Sequence, residues 1–254
     1  MKWKFLNSGV NSGKFNMDFD IFLAENLEQE TAILRLYRWN PYCISLGANQ
    51  SFDDINLNRT RYDQIDVVKR PTGGRAILHS QELTYSVTYP INFNTSAKNI
   101  YNEINLALRS GLVIYDSRLS EIDLEHLQPN FKEFYKTELS AICFAVSAKS
   151  ELNFRGKKLV GSAQRKLGNV ILQHGSILCG SYHKKIVDYL NVSEEKKKEI
   201  LLEISSTTMD LKSALNYDVD YGKLTASILK GFKEHFNSGF DEIDQTSLQN
   251  NSII

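Results

Sequence analysis

Cysteine is scarce in this 254-residue chain. The three cysteines, Cys43, Cys143 and Cys179, lie far apart and form no Cys-x-x-Cys pair. That argues against a zinc site built on cysteine, and a sparse, odd count fits free thiols in a reducing compartment. An excess of one charge sign is also missing: 30 Lys and Arg balance 30 Asp and Glu. The chain therefore lacks the basic footprint of a nucleic-acid binder or a polybasic membrane protein. No apolar run approaches the roughly 20 residues of a membrane span. The opening Met1-Lys-Trp-Lys-Phe-Leu-Asn-Ser-Gly9 lacks the apolar core of a secretory signal. The expectation is a cytoplasmic, soluble protein with neither nucleic acid nor membrane as partner. Internal repeats and low-complexity linkers are absent too, and 42% hydrophobic residues suffice for one large domain or two modest ones.

What is present centres on Arg70-Pro-Thr-Gly-Gly-Arg-Ala-Ile-Leu-His-Ser-Gln-Glu-Leu-Thr-Tyr-Ser-Val87. Upstream, Ile65 to Lys69 reads as a strand. Downstream, Leu83, Tyr85, Val87 and Tyr89 alternate with Thr84, Ser86 and Thr88, the period of a strand with one buried face. Gly73 and Gly74 can take positive φ and let a ligand lie against the main chain. Arg70, Arg75 and His79 can give charge-assisted hydrogen bonds to an anion or a carbonyl. An ordinary turn carrying surface arginines fits the same spacing.

In chain order, Trp3 to Leu6 reads as a strand, followed by a helix capped by Asn16 and running from Met17 to about Leu27. Strands are expected at Ala32 to Trp39 and Cys43 to Leu46, with a short helix opening within Asn49 to Asp54. Asn99 to Leu112 is a helix by its Ile100, Ile104, Leu108 spacing. Residues 116–138 give no assignable pattern. Ala141 to Val146, Ser150 to Phe154, Leu159 to Gln164 and Val170 to Leu178 read as a β-meander with Gly-containing turns. Helices follow: Glu194 to about Ile204 capped by Ser193, Met209 to Leu215 opened by Thr207 or Thr208, and a last one capped by Asp220. Residues 244–254 read as a disordered polar tail. The pattern predicts one α+β domain over residues 1–243, a mixed β-sheet body with flanking helices.

Candidate chemistry is spread along this frame. Cys143 lies among Ala141, Ile142, Phe144, Ala145 and Val146. Either it is a buried structural thiol, or it is a nucleophile whose thiolate is favoured by a cation from elsewhere in the fold. Cys43 and Cys179 read as structural. Lys158 precedes Gly161-Ser162-Ala163 and either reaches over that turn toward a bound carbonyl or phosphate, or is a solvated hairpin lysine. His174 is either a polar lining residue or a satisfied strand histidine.

The order of these segments identifies more than each does singly. Arg-Pro-Thr-Gly-Gly-Arg-Ala-x-Leu-His, a cysteine segment, Gly-Lys-Lys-Leu-Val-Gly-Ser-Ala-Gln and Ile-Leu-Gln-His-Gly-Ser follow one another. Together with the opening Ser8-Gly and Phe15-Asn-Met17, this resembles the lipoate/biotin protein ligase superfamily. More narrowly, it resembles the cysteine-dependent octanoyltransferases of lipoate assembly, from about Trp3 to Cys179. The resemblance implies that superfamily's catalytic-domain fold and a cysteine, here Cys143, that takes an octanoyl group as a thioester. Lys158 would contact the acyl carbonyl. Arg70, Thr72, Gly73, Gly74, Arg75 and His79 would shape the pocket with Gly161, Ser162, Ala163, Gln164 and His174. The acyl slot is expected to draw on Ile77, Leu83 and Tyr85. The resemblance implies octanoyl-acyl carrier protein as donor. The acceptor would be a lysine of a lipoyl-carrier protein, either a glycine cleavage H protein or a dehydrogenase lipoyl domain. No cofactor and no metal are implied.

Three other readings remain. An ATP-dependent lipoate–protein ligase would form an acyl-adenylate with Mg²⁺, but such ligases typically carry a third glycine where Arg75 stands and often a C-terminal accessory domain. A biotin ligase would bring an arginine- and glycine-rich loop that is not matched here. A non-catalytic lipoyl-domain binder would have no use for Cys143, Lys158 and the Gly-Gly turn together. The cysteine segment departs from the family pattern, which places a proline and an aromatic shortly after the cysteine. Here Ala145-Val-Ser-Ala-Lys-Ser-Glu151 retains only Ser147 and Glu151 of it.

Overall fold

The computed structural model of the chain describes residues 1–91, 96–124 and 151–245. Cys143, the rest of its segment and most of the polar tail lie outside the described residues. The first half runs β1 (Lys2–Asn11), α1 (Gly13–Glu25), β2 (Thr31–Trp39), β3 (Cys43–Leu46), α2 (Leu57–Tyr62), β4 (Asp66–Lys69), β5 (Ile77–His79) and β6 (Glu82–Pro90). The second runs α3 (Ala97–Tyr115), β7 (Ile122–Leu124), β8 (Leu152–Phe154), β9 (Lys157–Leu167), β10 (Val170–Leu178), α4 (Glu194–Thr207), α5 (Leu211–Leu215), α6 (Tyr221–Phe236) and β11 (Phe240–Glu242).

Local chemistry sets the helix ends. Ser12, not Asn16, caps α1: its Oγ accepts from Phe15 N at 3.3 Å. Asn16 is instead buried within the helix and donates to the carbonyls of Asn11 and Arg38. Ser193 and Asp220 cap α4 and α6 as expected. Asp210 caps α5, because the Thr207 and Thr208 hydroxyls turn back onto the Glu203 and Ile204 carbonyls and close α4. The helix expected to open near Asn49 is a single 3₁₀ turn at Phe52–Asp54.

The strands form an eight-stranded mixed sheet, ordered β11-β1-β2-β6-β10-β9-β8-β7, and a three-stranded sheet, β4-β3-β5. β1 pairs parallel with β11 and β2, and the rest of the large sheet is antiparallel. The β8-β9-β10 meander is as the sequence predicts. One face of the large sheet packs its Trp3, Leu34, Leu36, Leu83, Tyr85, Val87 and Ile177 against α3 and α6 in the main core. β6 departs from the expected single buried face: Glu82, Thr84, Ser86 and Thr88 are also buried. Glu82, Thr84 and Ser86 form a hydrogen-bonded polar layer with Asp20 of α1 and His79 of the small sheet rather than meeting solvent. That layer carries the site.

Candidate active site

A cavity with about 440 Å³ of empty space, its open mouth included, lies between the large sheet's second face and the small sheet. Its walls come from Met17 of α1, Tyr37 and Trp39 of β2, Ile77 and His79 of β5, and Thr84 of β6. Arg70, Lys158, Gly161, Ser162, Ala163, His174, Gly175 and Ser176 complete it. Ile77, Trp39, Tyr37 and Met17 give the wall apolar surface, and the two histidines, Lys158 and Ser162 give it polar groups.

His79 is held on three sides. Its ring stacks on Trp39 at 4.1 Å and 13°. Nδ1 meets Glu82 Oε1 at 2.8 Å, and Nε2 meets Ser45 Oγ at 2.7 Å. Glu82 also accepts from Thr84 Oγ1 at 2.6 Å and Ser176 Oγ at 2.8 Å. Burial alone would raise the Glu82 carboxyl. The His79 ring and the hydrogen bonds from His79, Thr84 and Ser176 outweigh that and hold it below the usual carboxylate range. The His79 Nδ1–H donates to the carboxylate, and Nε2 shares its hydrogen bond with the Ser45 hydroxyl.

Ser45 passes this order on to the Gly-Gly turn. Arg70 Nη1 donates to the Ser45 carbonyl at 2.8 Å and its hydroxyl at 3.2 Å. Nε and Nη2 donate to the Gly73 carbonyl, and Nη2 also to that of Arg75 at 2.7 Å. The Arg70 side chain thus works as a pin that folds residues 70–75 onto the small sheet. Gly74 has φ of 93°, a region that a side chain resists. A Cβ on Gly47 would run into the Gly74 carbonyl, so both glycines are needed where the two loops touch.

The second histidine sits in a parallel arrangement. His174 Nε2 meets Thr72 Oγ1 at 2.6 Å, and Nδ1 lies 3.3 Å from Asp20 Oδ2. Burial lowers the His174 pKa despite Asp20, so the ring is neutral near pH 7. Asp20, on α1, also meets Arg35 at 2.7 Å, the Tyr37 hydroxyl at 3.0 Å and Ser86 at 2.8 Å. Burial would raise Asp20, but Arg35 and the hydrogen bonds with His174 and Ser86 hold it down.

Lys158 is no solvated hairpin lysine: its side chain is 1% exposed and pairs with Glu151 at 2.9 Å. Next to it, Ser162 accepts from Tyr85 at 2.7 Å and reaches Asn105 of α3 at 3.4 Å. A Cβ on Gly175 would meet the Gly161 carbonyl and, at 2.7 Å, Tyr85 Cε1. Gly175 therefore leaves room for the Gly161 carbonyl and the Tyr85 ring beside Ser162.

Of the residues singled out from sequence, the cavity gathers Arg70, His79, Lys158, Gly161, Ser162, Ala163 and His174. Thr72 stands behind it on His174. Gly73 and Gly74 are exposed, with the Gly73 carbonyl tied to Arg70. Arg75 is tied through its carbonyl, and Gln164 turns away to Gln173 and the Ala97 carbonyl. Leu83 and Tyr85 do not line the cavity: odd positions of β6 face α3, and only Ile77 of the expected acyl slot is in the wall. Sequence reasoning missed Met17, Tyr37, Trp39, Thr84, Ser176, Glu82 and Asp20. The polar alternation of Glu82, Thr84, Ser86 and Thr88 was the signal that could have found the layer they share. Both described cysteines are buried in strands or beside them, and burial pushes the Cys43 thiol up and that of Cys179 up to about 12. Among the described residues no group of His, Cys, Asp and Glu is arranged to hold a metal ion, and no helix is long and apolar enough to cross a membrane.

Residues 12–233 match the model of the lipoyl protein ligase A/B catalytic domain. Octanoyltransferase LipM of Clostridioides difficile (strain 630) is 32% identical over 255 residues, covering 98% of this chain and 92% of that protein. Octanoyltransferase LipM of Bacillus subtilis (strain 168) is 31% identical over 249 residues, covering 94% of this chain and 86% of that protein. Among solved structures, a bipartite lipoate protein ligase from Thermoplasma acidophilum superposes with a TM-score of 0.78, covering 99% of this chain and 90% of its own. At 17% identity it shares the fold alone.

Proposed function

The chain belongs to the lipoyl protein ligase A/B catalytic-domain family, and from that premise we propose that it is an octanoyltransferase of lipoate assembly working through Cys143. It is an acyltransferase that places an octanoyl group on the lysine of a lipoyl-carrier protein. Octanoyl-acyl carrier protein is the donor, and the work is done in the cytoplasm by residues 1–243 acting as one catalytic domain.

The reaction has two balanced steps. The Cys143 thiolate attacks the carrier's thioester carbonyl, a C–S bond forms, and the carrier thiol leaves with the proton that Cys143 gave up. The acceptor lysine's amine then attacks the octanoyl-cysteine, a C–N bond forms, and the Cys143 thiolate leaves, regaining a proton from the attacking amine. The first step trades thioester for thioester, and the second ends in a far more stable amide. Both pass through a tetrahedral oxyanion, for which one well-placed donor is worth roughly 3 kcal/mol. Lys158, on the cavity wall beside Ser162, is that donor. The apolar surface of Met17, Tyr37, Trp39 and Ile77 takes the acyl chain, at about 0.8 kcal/mol for each methylene buried. Arg70 shapes the turn, and His79 and His174 line the wall as hydrogen-bonded rings.

The observation that carries this reading is the meeting of Lys158, Gly161–Ala163, His79 and His174 around one half-apolar cavity. The test is modification of a lipoyl domain and of a glycine cleavage H protein by the enzyme, followed by mass. Octanoyl-acyl carrier protein without ATP or Mg²⁺ is expected to yield octanoylated acceptor. Modification only with free octanoate, ATP and Mg²⁺ would move the chain to the ligases.

A further inference from the structure

Glu151 holds no place in the reaction as drawn above, yet it is the partner of the lysine that does. The Lys158 and Glu151 side chains are 1% and 3% exposed and 2.9 Å apart. Taking two charges out of water is costly, and losing one partner of such a pair is costlier still. The hairpin aligns them: Asn153 faces Lys158 and Leu152 faces Val160, so β9 carries an extra residue between the paired positions. A bulge of this kind re-aims the side chains beside it. The main chain of Lys158 is clamped from its other side, where Met209 N donates to its carbonyl at 2.9 Å and Thr208 forms a bridge. What the backbone leaves undetermined is the end of a long, flexible side chain. Glu151 fixes that end. Its charge also acts on the Tyr85 and Tyr101 hydroxyls, which hydrogen-bond to Ser162. The carboxylate thus lies near the tyrosine hydroxyls that meet Ser162 of the cavity wall.

We propose that Glu151 is a positioning residue for acyl transfer: its carboxylate holds the Lys158 ammonium at the cavity wall, where the carbonyl oxygen gathers charge. The inference rests on the reading that Lys158 serves the reaction. The short stretch from Cys143 to Lys158 then carries nucleophile, anchor and oxyanion donor together.

A double-mutant cycle on the full chain tests it, with kcat and KM measured for transfer from octanoyl-acyl carrier protein to a lipoyl domain. Glu151→Gln is expected to lower kcat about tenfold, with KM for either carrier moving less than about twofold. Lys158→Met is expected to lose about a hundredfold. Adding Glu151→Gln to Lys158→Met should cost nothing more, because the residue through which Glu151 acts is gone. The double variant buries no unmatched charge, so it stays comparable if Glu151→Gln folds poorly. Glu151→Asp, which keeps the charge, then stands in for the single variant and is expected to recover part of the rate. Losses that multiply in the double variant would overturn the inference, as would a wild-type kcat in Glu151→Gln while Lys158→Met is impaired. A wild-type rate in Lys158→Met would instead remove Lys158 from the reaction, and the inference with it.

Discussion

Arg35 is fully buried beside the cavity, and its neighbours are chosen to match it. Nε donates to Ser8 Oγ at 2.7 Å, Nη1 to Asp20 Oδ1 at 2.7 Å, and Nη2 to Asn16 Oδ1 at 2.7 Å. The guanidinium also lies 4.0 Å over the Tyr37 ring. Asp20 supplies the only carboxylate in this described set, and Tyr37 and His174 of the cavity wall both end on it. Asp20→Asn keeps the shape and removes the charge, leaving Arg35 unmatched away from water. It is expected to destabilise the protein by about 3 kcal/mol, read by calorimetry as a melting temperature lower by about 10 °C. An unchanged melting temperature would mean that the Asn16 and Ser8 oxygens suffice. At this scale the sequence was partly legible. Arg70, His79, Lys158 and His174 stood out because they flank glycines, although Gly161 and Gly175 lie within strands rather than turns. Asp20 and Glu82 did not, because their significance lies in partners far along the chain: 154 residues separate Asp20 from His174.

The elements themselves were better signalled than their ends or their faces. Periodic apolar residues in α3 and α6, and the caps Ser193 and Asp220, follow from spacing alone. Caps at Ser12 and Asp210 won over nearby Asn16, Thr207 and Thr208 because tertiary or back-turned hydrogen bonds had already claimed those rivals. In β6 the polar face read as solvent-facing, since alternation cannot tell water from a buried polar layer. Close crossing of α3 and α6 offers a test at this scale. A Cβ on Gly231 would strike the Gly111 main chain, and one on Gly111 would lie 2.7 Å from Ile228 Cα. Alanine favours a helix over glycine by about 1 kcal/mol, but forcing the helices apart costs about 1–3 kcal/mol. Gly231→Ala is therefore expected to lower the urea midpoint, and a rise would show that the crossing yields easily.

Across the molecule, stability should depend on pH through buried groups at the cavity and, in His183, away from it. Burial lowers His174 and His183 from 6.5, and Asp20 and Glu82 lie below 3.8 and 4.5. A group with a depressed folded pKa contributes fully above its unfolded value, and the contribution fades as pH falls through the folded one. The histidines therefore begin to weaken the fold below about pH 6.5, and the two carboxylates below about pH 4. The urea midpoint is expected to decline between pH 7 and 5 and again below pH 4. His174→Gln should flatten the upper decline in part, leaving the His183 share. A wild-type midpoint that stays level from pH 7 to 5 would contradict the buried, neutral state assigned to both rings.

The central claim is a covalent octanoyl-enzyme on Cys143, and intact-mass spectrometry tests it most directly. The full chain is mixed with octanoyl-acyl carrier protein, without ATP and without acceptor. The account predicts one added octanoyl mass that hydroxylamine removes and that Cys143→Ala lacks while keeping its fold and losing transfer. An unmodified wild-type enzyme that still octanoylates the acceptor, or full transfer by Cys143→Ala, would contradict it.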